Sequence, residues 1–190
     1  RNTISLIIPS YNTKEHLVNT YESVRRYYKD VEMVIINDGS LDDTSEWLQS
    51  LEDDNVIKID SKERRGHTFF YDEGMRQASN DIVGILHSDM IIGPNYLENM
   101  LKHLERGKVV CAPYGYEDSD IFNRWILNGY EMIQSRDSLV YHLTCRGHRW
   151  NKGIGIENDD YKETMERCRR DFIRKWGDWI KNDEYQYPII

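Results

Sequence analysis

The residues best suited to chemistry lie at the end of one short apolar stretch, residues 82–90. The stretch begins with an apolar run and ends in His87, Ser88 and Asp89. A short apolar run bounded by polar residues predicts a strand buried on both faces, and open α/β sheets bind ligands outside the carboxyl ends of their strands. A carboxylate there is a hard oxygen ligand for Mg²⁺ or Mn²⁺, and an imidazole beside it suits Mn²⁺. Because an aspartate can also simply cap the turn after a strand, both interpretations stay open at this point.

The composition limits the class of protein. The chain has 190 residues, enough for one domain with a substantial core. Hydrophobic residues make up 39% and charged residues 31%, which predicts a soluble globular fold. The net charge of -8 argues against a nucleic-acid partner, which would require a basic surface.

The cysteines and the hydropathy indicate the compartment. Cys111, Cys145 and Cys168 are far apart and form no CxxC pair, as is typical of proteins in a reducing environment. No apolar run approaches the length needed for a transmembrane segment. We therefore expect a cytoplasmic protein.

The order of elements predicts an α/β fold with a doubly wound, mostly parallel sheet. Strands are predicted at residues 4–8, 32–36 and 56–59 and from residue 82, each followed by a helix, and this alternation implies right-handed crossovers. Pro9 is expected to end the first strand, and Asn12, with Glu15 three residues later, to cap the first helix. Thr68 is expected to cap the third helix and Pro94 to start the fourth.

The second half of the chain is less regular. Strands are predicted at 109–112 and 139–142, with a short helix between them that Gly129 closes, and an amphipathic C-terminal helix follows. We expect a single domain over residues 1–190. Its three parts are residues 1–112, residues 113–156 and a helical extension of residues 157–190.

Two segments taken together resemble a known family. Residues 5–12, which end in Pro9-Ser10-Tyr11-Asn12, and residues 34–44, which contain Asn37-Asp38-Gly39-Ser40, are similar to the donor-binding half of family 2 glycosyltransferases with the GT-A fold. His87-Ser88-Asp89 is similar to the family's DxD element, and Glu117-Asp118 resembles the acidic motif before its RxxxxGY helix. The resemblance covers residues 4 to about 142, in a chain that is short for the family. It implies a GT-A, Rossmann-like fold and a nucleoside diphosphate sugar as donor. It also implies that residues 1–112 form the nucleotide-sugar-binding half and residues 113–156 the acceptor and catalytic half.

The resemblance implies roles for residues after the first three strands. Asp38 can accept a hydrogen bond from the imino N–H of a base, with UDP as first choice and GDP as second, although an aspartate before Gly39 can also be a simple turn residue. Tyr11 and the Pro9 carbonyl can flank the base, and Arg65, or Arg64 in its place, can contact base or phosphate. The full set expected to bind the donor is Pro9, Tyr11, Asn12, Asp38, Arg65, His87, Ser88 and Arg146.

The resemblance also implies a bound Mn²⁺ or Mg²⁺. Asp89 is the main candidate ligand, and His142, at the end of the last short strand, matches the position where the family often has a second ligand. The metal would bridge the diphosphate and neutralise charge as the sugar–phosphate bond breaks. His87 stands where the family has an aspartate. It can coordinate the metal, hydrogen-bond the ribose, or do neither.

Asp118 is the expected general base for an inverting transfer, in which a carboxylate takes the proton of the acceptor hydroxyl. Glu117 lies beside it, and acidic residues at that point can also serve to complement a helix dipole. Arg146 belongs to a basic cluster that can hold the leaving diphosphate.

Two alternative functions remain. A catalytically silent sugar- or nucleotide-binding module is compatible with His87 and with the short span, since only 28 residues (90 to 117) separate Asp89 from Asp118. A nucleotidyltransferase is less consistent, because Pro9-Ser10-Tyr11-Asn12 is not a glycine-rich phosphate loop. The short span also suggests that a partner or a second copy of the chain completes the site for the sugar or other hydroxyl acceptor.

Overall fold

A computed structural model describes residues 4–104, 108–111, 127–135 and 137–143, together with residues 166, 167, 169, 170, 173 and 174. The chain divides into two compact units, one of residues 1–94 and 140–147, the other of residues 95–139 and 148–190. The elements in chain order are β1 (Ile4–Ser10), α1 (Lys14–Tyr27), β2 (Glu32–Asp38), α2 (Thr44–Ser50), β3 (Val56–Ser61), α3 (His67–Gln77), β4 (Ile82–Ile85), β5 (Met90–Ile92), α4 (Tyr96–Leu101), β6 (Lys108–Cys111), β7 (Glu131–Gln134) and β8 (Val140–His142).

The first unit is built on a four-stranded parallel sheet with the order β3-β2-β1-β4. The chain moves outward from β1 through β2 to β3 and then crosses back to β4 on the other side of β1. Because such crossovers are right-handed, α1 and α2 lie on one face of the sheet and α3 on the other. The predicted doubly wound α/β fold is therefore confirmed, with its switch point between β1 and β4.

Alternating side chains of the strands form the core on both faces of this sheet. Ile7, Val34 and Ile36 pack with Phe70 of α3 on one face, while Leu6, Ile8, Met33 and Ile35 are buried on the opposite face. Gly74 lets α3 approach the sheet closely, since a Cβ there would lie 2.5 Å from Cγ2 of Ile7.

The first strand is longer than predicted, because Pro9 lies inside β1 rather than after it. The carbonyl of Ile7 accepts the backbone N–H of Leu86. The backbone polar groups of Ile7 therefore face β4, and the backbone of Pro9, two residues later, faces the same side. β4 ends at Ile85, so its pairing with β1 stops at the level of Pro9, which has no N–H to continue the ladder.

Other predicted boundaries were also wrong. Asn12 does not cap α1, because the N-cap is Thr13 and Asn12 has a φ of 54°. Gly66, not Thr68, precedes the third helix. The strand at residue 82 is not buried on both faces, because residues 82–84 are only partly buried and Ile85 is 36% exposed.

Two short strands were not predicted. Met90–Ile92 (β5) pairs antiparallel with β8, and Glu131–Gln134 (β7) pairs parallel with β6. Gly129 has the positive φ, 81°, expected of a glycine that closes a helix.

In the second unit, the turn after β7 is attached to α4 by hydrogen bonds. Asn99 Nδ2 donates to the Asp137 carbonyl at 2.7 Å, and the hydroxyls of Ser135 and Ser138 donate to the carbonyls of Asn99 and Tyr96, each at 3.2 Å. Within the described parts of the chain, none of the helices has both the length and the apolar character needed to cross a membrane.

Candidate functional site

The candidate site lies at the carboxyl edge of the parallel sheet, where four loops follow β1, β2, β3 and β4. A doubly wound sheet binds ligands at its switch point, which here lies between the loop after β1 and residues 86–89 after β4. The predicted donor and metal residues that the structure describes lie in these loops, in the strand ends that lead into them, or in the neighbouring β8.

The loops after β1 and β2 are joined by three hydrogen bonds. The backbone N–H of Asn12 donates to Ser40 Oγ at 3.0 Å, and Asn12 Oδ1 accepts the N–H of Leu41 at 2.7 Å. The N–H of Lys14 donates to Asp42 Oδ2 at 3.1 Å. The predicted donor residue Asn12 therefore also fixes the two loops relative to each other.

Asp38 holds the loop that follows β3. Its carboxylate is fully buried and accepts the backbone N–H of Arg65 at 2.6 Å and that of Gly66 at 3.0 and 3.3 Å. Gly39, with a φ of 67°, packs under the same loop, where a Cβ would lie 2.6 Å from the backbone N of Arg64. The Asp38-Gly39 pair thus positions the segment that carries the two arginines.

Asn37 connects the β2 loop to β3. Its Nδ2 donates to Asp60 Oδ1 at 2.7 Å, and its Oδ1 accepts the N–H of Ser40 at 3.0 Å. Burial by itself would raise the pKa of Asp60, but hydrogen bonds from Ser45, Asn37 and Gln49 outweigh it and lower the pKa. Asp60 is therefore a carboxylate that fixes the end of β2.

Both arginines of the β3 loop lie against aromatic rings. Arg64 Cζ is 4.2 Å from the centroid of Tyr11, and Arg65 Cζ is 4.1 Å from that of Phe69. The guanidinium beside the predicted base-stacking residue Tyr11 therefore belongs to Arg64 rather than Arg65. Pro9, also expected near the base, is buried within β1.

Asp89 and His142 meet although they are distant in sequence. Asp89 Oδ2 lies 3.0 Å from His142 Nε2, and both side chains are largely buried. The antiparallel pairing of β5 with β8 sets this position, together with the 2.8 Å hydrogen bond from Leu143 N to the Asp89 carbonyl.

This pair fits two adjacent ligands of one cation. Two atoms that bind the same ion at about 2.1 Å and at a right angle lie about 3.0 Å apart. Asp89 would supply a hard oxygen and His142 a nitrogen that suits Mn²⁺. Among the residues that the structure describes, no cluster of three or more His, Cys, Asp or Glu could hold a metal.

His87 is engaged by an aromatic cluster on α3. Its Nε2 lies 3.2 Å from the hydroxyl of Tyr71, and its ring lies edge-on to that of His67 at 6.3 Å. These contacts tie the His87 ring to α3 through Tyr71 and His67.

A network of hydroxyls was not predicted from the sequence, although one of its members, Ser88, was an expected donor-binding residue. Ser88 Oγ lies 2.9 Å from Thr13 Oγ1, which lies 2.8 Å from Ser10 Oγ, and Thr20 Oγ1 donates to the Ser88 carbonyl at 2.9 Å. Thr20 and Ser23 share the buried face of α1 with Leu17 and Val24. Small hydroxyl residues on an otherwise apolar helix stripe are the sequence signal for this network.

Three predicted site residues, Glu117, Asp118 and Arg146, lie outside the described residues.

A parallel α/β sheet with polar loops and an Asp–His pair at its carboxyl edge defines the class: this chain has the GT-A glycosyltransferase fold. The sequence model of Glycosyl transferase family 2 matches residues 5–163, and the chain belongs to this family.

Two bacterial relatives show the extent of the similarity. The putative glycosyltransferase EpsH of Bacillus subtilis is 30% identical over an alignment of 211 residues, which covers 98% of this chain and 60% of EpsH. The poly-beta-1,6-N-acetyl-D-glucosamine synthase of Staphylococcus aureus is 34% identical over 105 residues, which cover 53% of this chain and 26% of the synthase. The chain thus spans less than two thirds of the length of these relatives.

Two solved structures share the fold. The mannosyltransferase PcManGT of Pyrobaculum calidifontis, in complex with GDP-Man and Mn²⁺, matches with a TM-score of 0.53 and 21% identity over 64% of this chain and 37% of its own. S. aureus TarS 1–349, in complex with UDP-GlcNAc, matches with a TM-score of 0.51 and 17% identity over 60% of this chain and 36% of its own.

Proposed function

We propose that this family 2 glycosyltransferase moves a hexose from a nucleoside diphosphate sugar to an acceptor hydroxyl, with inversion and with Mn²⁺ or Mg²⁺. The observation that supports the proposal most is the 3.0 Å approach of Asp89 Oδ2 to His142 Nε2 beside the switch point of the sheet. Side chains 53 positions apart converge there, at the edge where such sheets bind nucleotides.

The nucleotide is proposed to lie across the loops after β1, β2 and β3. Tyr11 offers a ring for the base, and Arg64, already 4.2 Å from that ring, offers a cation for base or phosphate. Asp38 supports this pocket by holding the arginine-bearing loop through the N–H groups of Arg65 and Gly66. UDP is the first choice and GDP the second. A structurally similar TarS was solved with UDP-GlcNAc and a similar mannosyltransferase with GDP-Man.

Asp89 and His142 would hold the cation. Bound there, it would neutralise the charge that develops on the leaving diphosphate. His87, whose Nε2 lies 3.2 Å from the Tyr71 hydroxyl, is not assigned as a ligand of the cation. Ser88, which is 8% exposed, can donate a hydroxyl proton to a donor oxygen at the same place.

The catalytic assignments come from the family motif. Asp118 is proposed as the base that takes the proton of the acceptor hydroxyl, with Glu117 beside it and Arg146 near the leaving diphosphate. We also propose that a partner or a second copy of the chain completes the acceptor site. The separated cysteines support a cytoplasmic location.

A two-stage experiment tests the function. First, thermal shift with UDP, GDP and their sugars, with and without MnCl₂, identifies the donor, because a ligand of the native state raises its stability. Second, sugar transfer from that donor is measured for the wild type and for Asp118→Asn, and the anomeric configuration of the product is determined by NMR.

The expected result is transfer with inversion and a loss of roughly two orders of magnitude or more in turnover for Asp118→Asn. Donor binding without hydrolysis or transfer to any acceptor would favour a catalytically silent binding module. Retained configuration, or normal turnover by Asp118→Asn, would contradict the proposed mechanism.

A further inference from the structure

The hydroxyls of Ser10, Thr13 and Ser88 form a continuous chain across the switch point. Ser10 ends β1, Thr13 caps α1, and Ser88 belongs to the loop after β4. The two oxygen–oxygen distances are 2.8 and 2.9 Å. Ser10 is fully buried, Ser88 is 8% exposed and Thr13 between them is partly exposed, so the two ends of the hydroxyl chain are sequestered from solvent.

This hydroxyl chain connects the loop after β1 with the loop after β4. Tyr11 and Asn12 stand between Ser10 and Thr13, and Asp89 directly follows Ser88. The loop expected to hold the base is thus bonded, through Thr13, to the loop expected to hold the cation.

The proton count of the hydroxyl chain shows how a ligand would set its direction. Three hydroxyls carry three protons, and their two mutual hydrogen bonds use two of them. A buried donor without an acceptor is costly. Because Ser10 is fully buried, we expect its hydroxyl to donate to Thr13 Oγ1. Within the described part of the chain, the third proton is then left on Thr13 or Ser88. An acceptor oxygen beside Ser88 would order the chain from Ser10 through Thr13 to Ser88.

The other contacts of the segment after β4 keep it on α1. Thr20 Oγ1 donates to the Ser88 carbonyl at 2.9 Å, and Ser23 Oγ accepts the N–H of Ile92 at 3.2 Å. Thr13, Thr20 and Ser23 are spaced by seven and three positions, which places them on one helix face. Only Thr13 of these three also contacts the loop of Tyr11 among the hydrogen bonds of the described residues.

We infer that the Ser10–Thr13–Ser88 hydroxyl chain couples the binding of a nucleoside diphosphate to the binding of a divalent cation, with Thr13 as the positioning residue. This inference rests on the proposed function and adds a regulation of the same site. Nucleotide held against Tyr11 fixes Thr13, and Thr13 fixes Ser88 and the adjacent Asp89. The cation then binds to a carboxylate that is already ordered, so bound nucleotide raises the affinity for the cation. By thermodynamic linkage, bound cation raises the affinity for the nucleotide by the same factor.

Titration calorimetry measures the affinity for UDP and for GDP, each with and without MnCl₂. The coupling is the ratio of the affinity with MnCl₂ to the affinity without it, for the same nucleotide. In Thr13→Val, an isosteric change without a hydroxyl, we expect the ratio to fall at least about fivefold. Thr13→Ser restores the hydroxyl and is expected to restore the ratio. Ser23→Ala loses a buried hydroxyl from the same helix face without touching the chain, and it should leave the ratio unchanged.

Ser10→Ala removes the hydroxyl whose proton, donated to Thr13, directs the Thr13 proton toward Ser88. It should lower the ratio in the same direction, so the test stands even if Thr13→Val does not fold. A ligand-free measurement adds a second readout. Amide hydrogen exchange at Ser88 and Asp89 should be faster in Thr13→Val than in Thr13→Ser, with the α1 amides alike in both.

The failures are distinguishable. If wild type binds UDP or GDP with Mn²⁺ enhancement and both Thr13→Val and Ser10→Ala keep the full ratio, the coupling is wrong while the proposed function stands. If wild type binds neither nucleotide with MnCl₂, the proposed function is wrong and the coupling is rejected with it.

Discussion

The carboxylate of Asp38 accepts the backbone N–H of Arg65 at 2.6 Å, although Asp38 ends β2 and Arg65 lies in the loop after β3. The same carboxylate accepts the N–H of Gly66, and Asp38 has no exposed surface. A negatively charged group at the end of β2 therefore organises the backbone of the segment that presents Arg64 to Tyr11.

Asp38→Asn should loosen this segment, because the amide keeps the shape of the carboxylate but loses its charge and one acceptor oxygen. We expect faster amide hydrogen exchange at Arg65 and Gly66 and a loss of about 1–3 kcal/mol in unfolding free energy. Asp42→Asn is the matched control, since Asp42 binds the N–H of Lys14 in the neighbouring loops. Unchanged exchange at Arg65 and Gly66 in Asp38→Asn would show that the carboxylate does not hold the segment.

Gly39→Ala should disturb the same segment for two reasons. The φ of 67° is unfavourable for alanine, and the new Cβ would lie 2.6 Å from backbone atoms of Glu63 and Arg64. Gly129→Ala isolates the first reason, because Gly129 has a φ of 81° and no heavy atom of the described residues lies within 4 Å of the place its new methyl group would take. We expect Gly39→Ala to lose roughly 1–3 kcal/mol more than Gly129→Ala in urea unfolding. Equal losses would mean that the loop after β3 yields to the methyl group.

The main sheet was predictable because its strands are apolar runs joined by helices. The pattern could not show that Pro9 stays in β1, since this depends on where the neighbouring β4 ends. Nor could it show β5, because three residues carry too little periodicity and their partner strand lies about 50 positions away.

Site residues were predictable where they belong to a sequence motif. They were not predictable where only the folded structure decides which residue lies in the site. The family motif pointed to Asp89 and His142, and the structure brings them together. The sequence could not show whether Arg64 or Arg65 would face Tyr11. The choice depends on the orientation of their loop, which the hydrogen bond from Arg65 N–H to Asp38 sets. Thr13, Thr20 and Ser23 were missed because the helix was analysed through its apolar residues alone.

The pair formed by Arg25 and Asp53 should make stability depend on pH. Arg25 Nε lies 2.6 Å from Asp53 Oδ2, and Tyr21 donates its hydroxyl to the same oxygen at 2.8 Å. Burial would raise the pKa of Asp53, but the hydrogen bonds from Arg25, Tyr21 and Asn55 outweigh it and lower the pKa. The stabilisation is therefore complete above the unfolded pKa of about 3.9 and is lost as the pH falls through the lower folded value.

Asp53→Asn should accordingly destabilise the protein by about 2 kcal/mol at pH 7, with a much smaller difference from wild type at pH 3. Urea unfolding at the two pH values measures this. Tyr21→Phe keeps the ion pair and removes one hydrogen bond, so its effect should be smaller at pH 7. A difference between Asp53→Asn and wild type that stays constant from pH 7 to pH 3 would exclude Asp53 as the source of the pH dependence.

Asp89→Asn and His142→Gln should each remove the effect of Mn²⁺ on nucleotide binding. Both substitutions keep the size of the side chain. The first removes the negative charge and the second the imidazole, so each takes away one of the two atoms that lie 3.0 Å apart. Loss of a ligand or of its support commonly costs about 10- to 100-fold in metal affinity. We therefore expect the Mn²⁺ concentration that half-maximally enhances UDP or GDP binding, measured by calorimetry, to rise by a factor of this size. His67→Gln is the control, because His67 belongs to the neighbouring aromatic cluster and not to the pair. Mn²⁺-dependent binding that survives in both Asp89→Asn and His142→Gln would place the cation elsewhere.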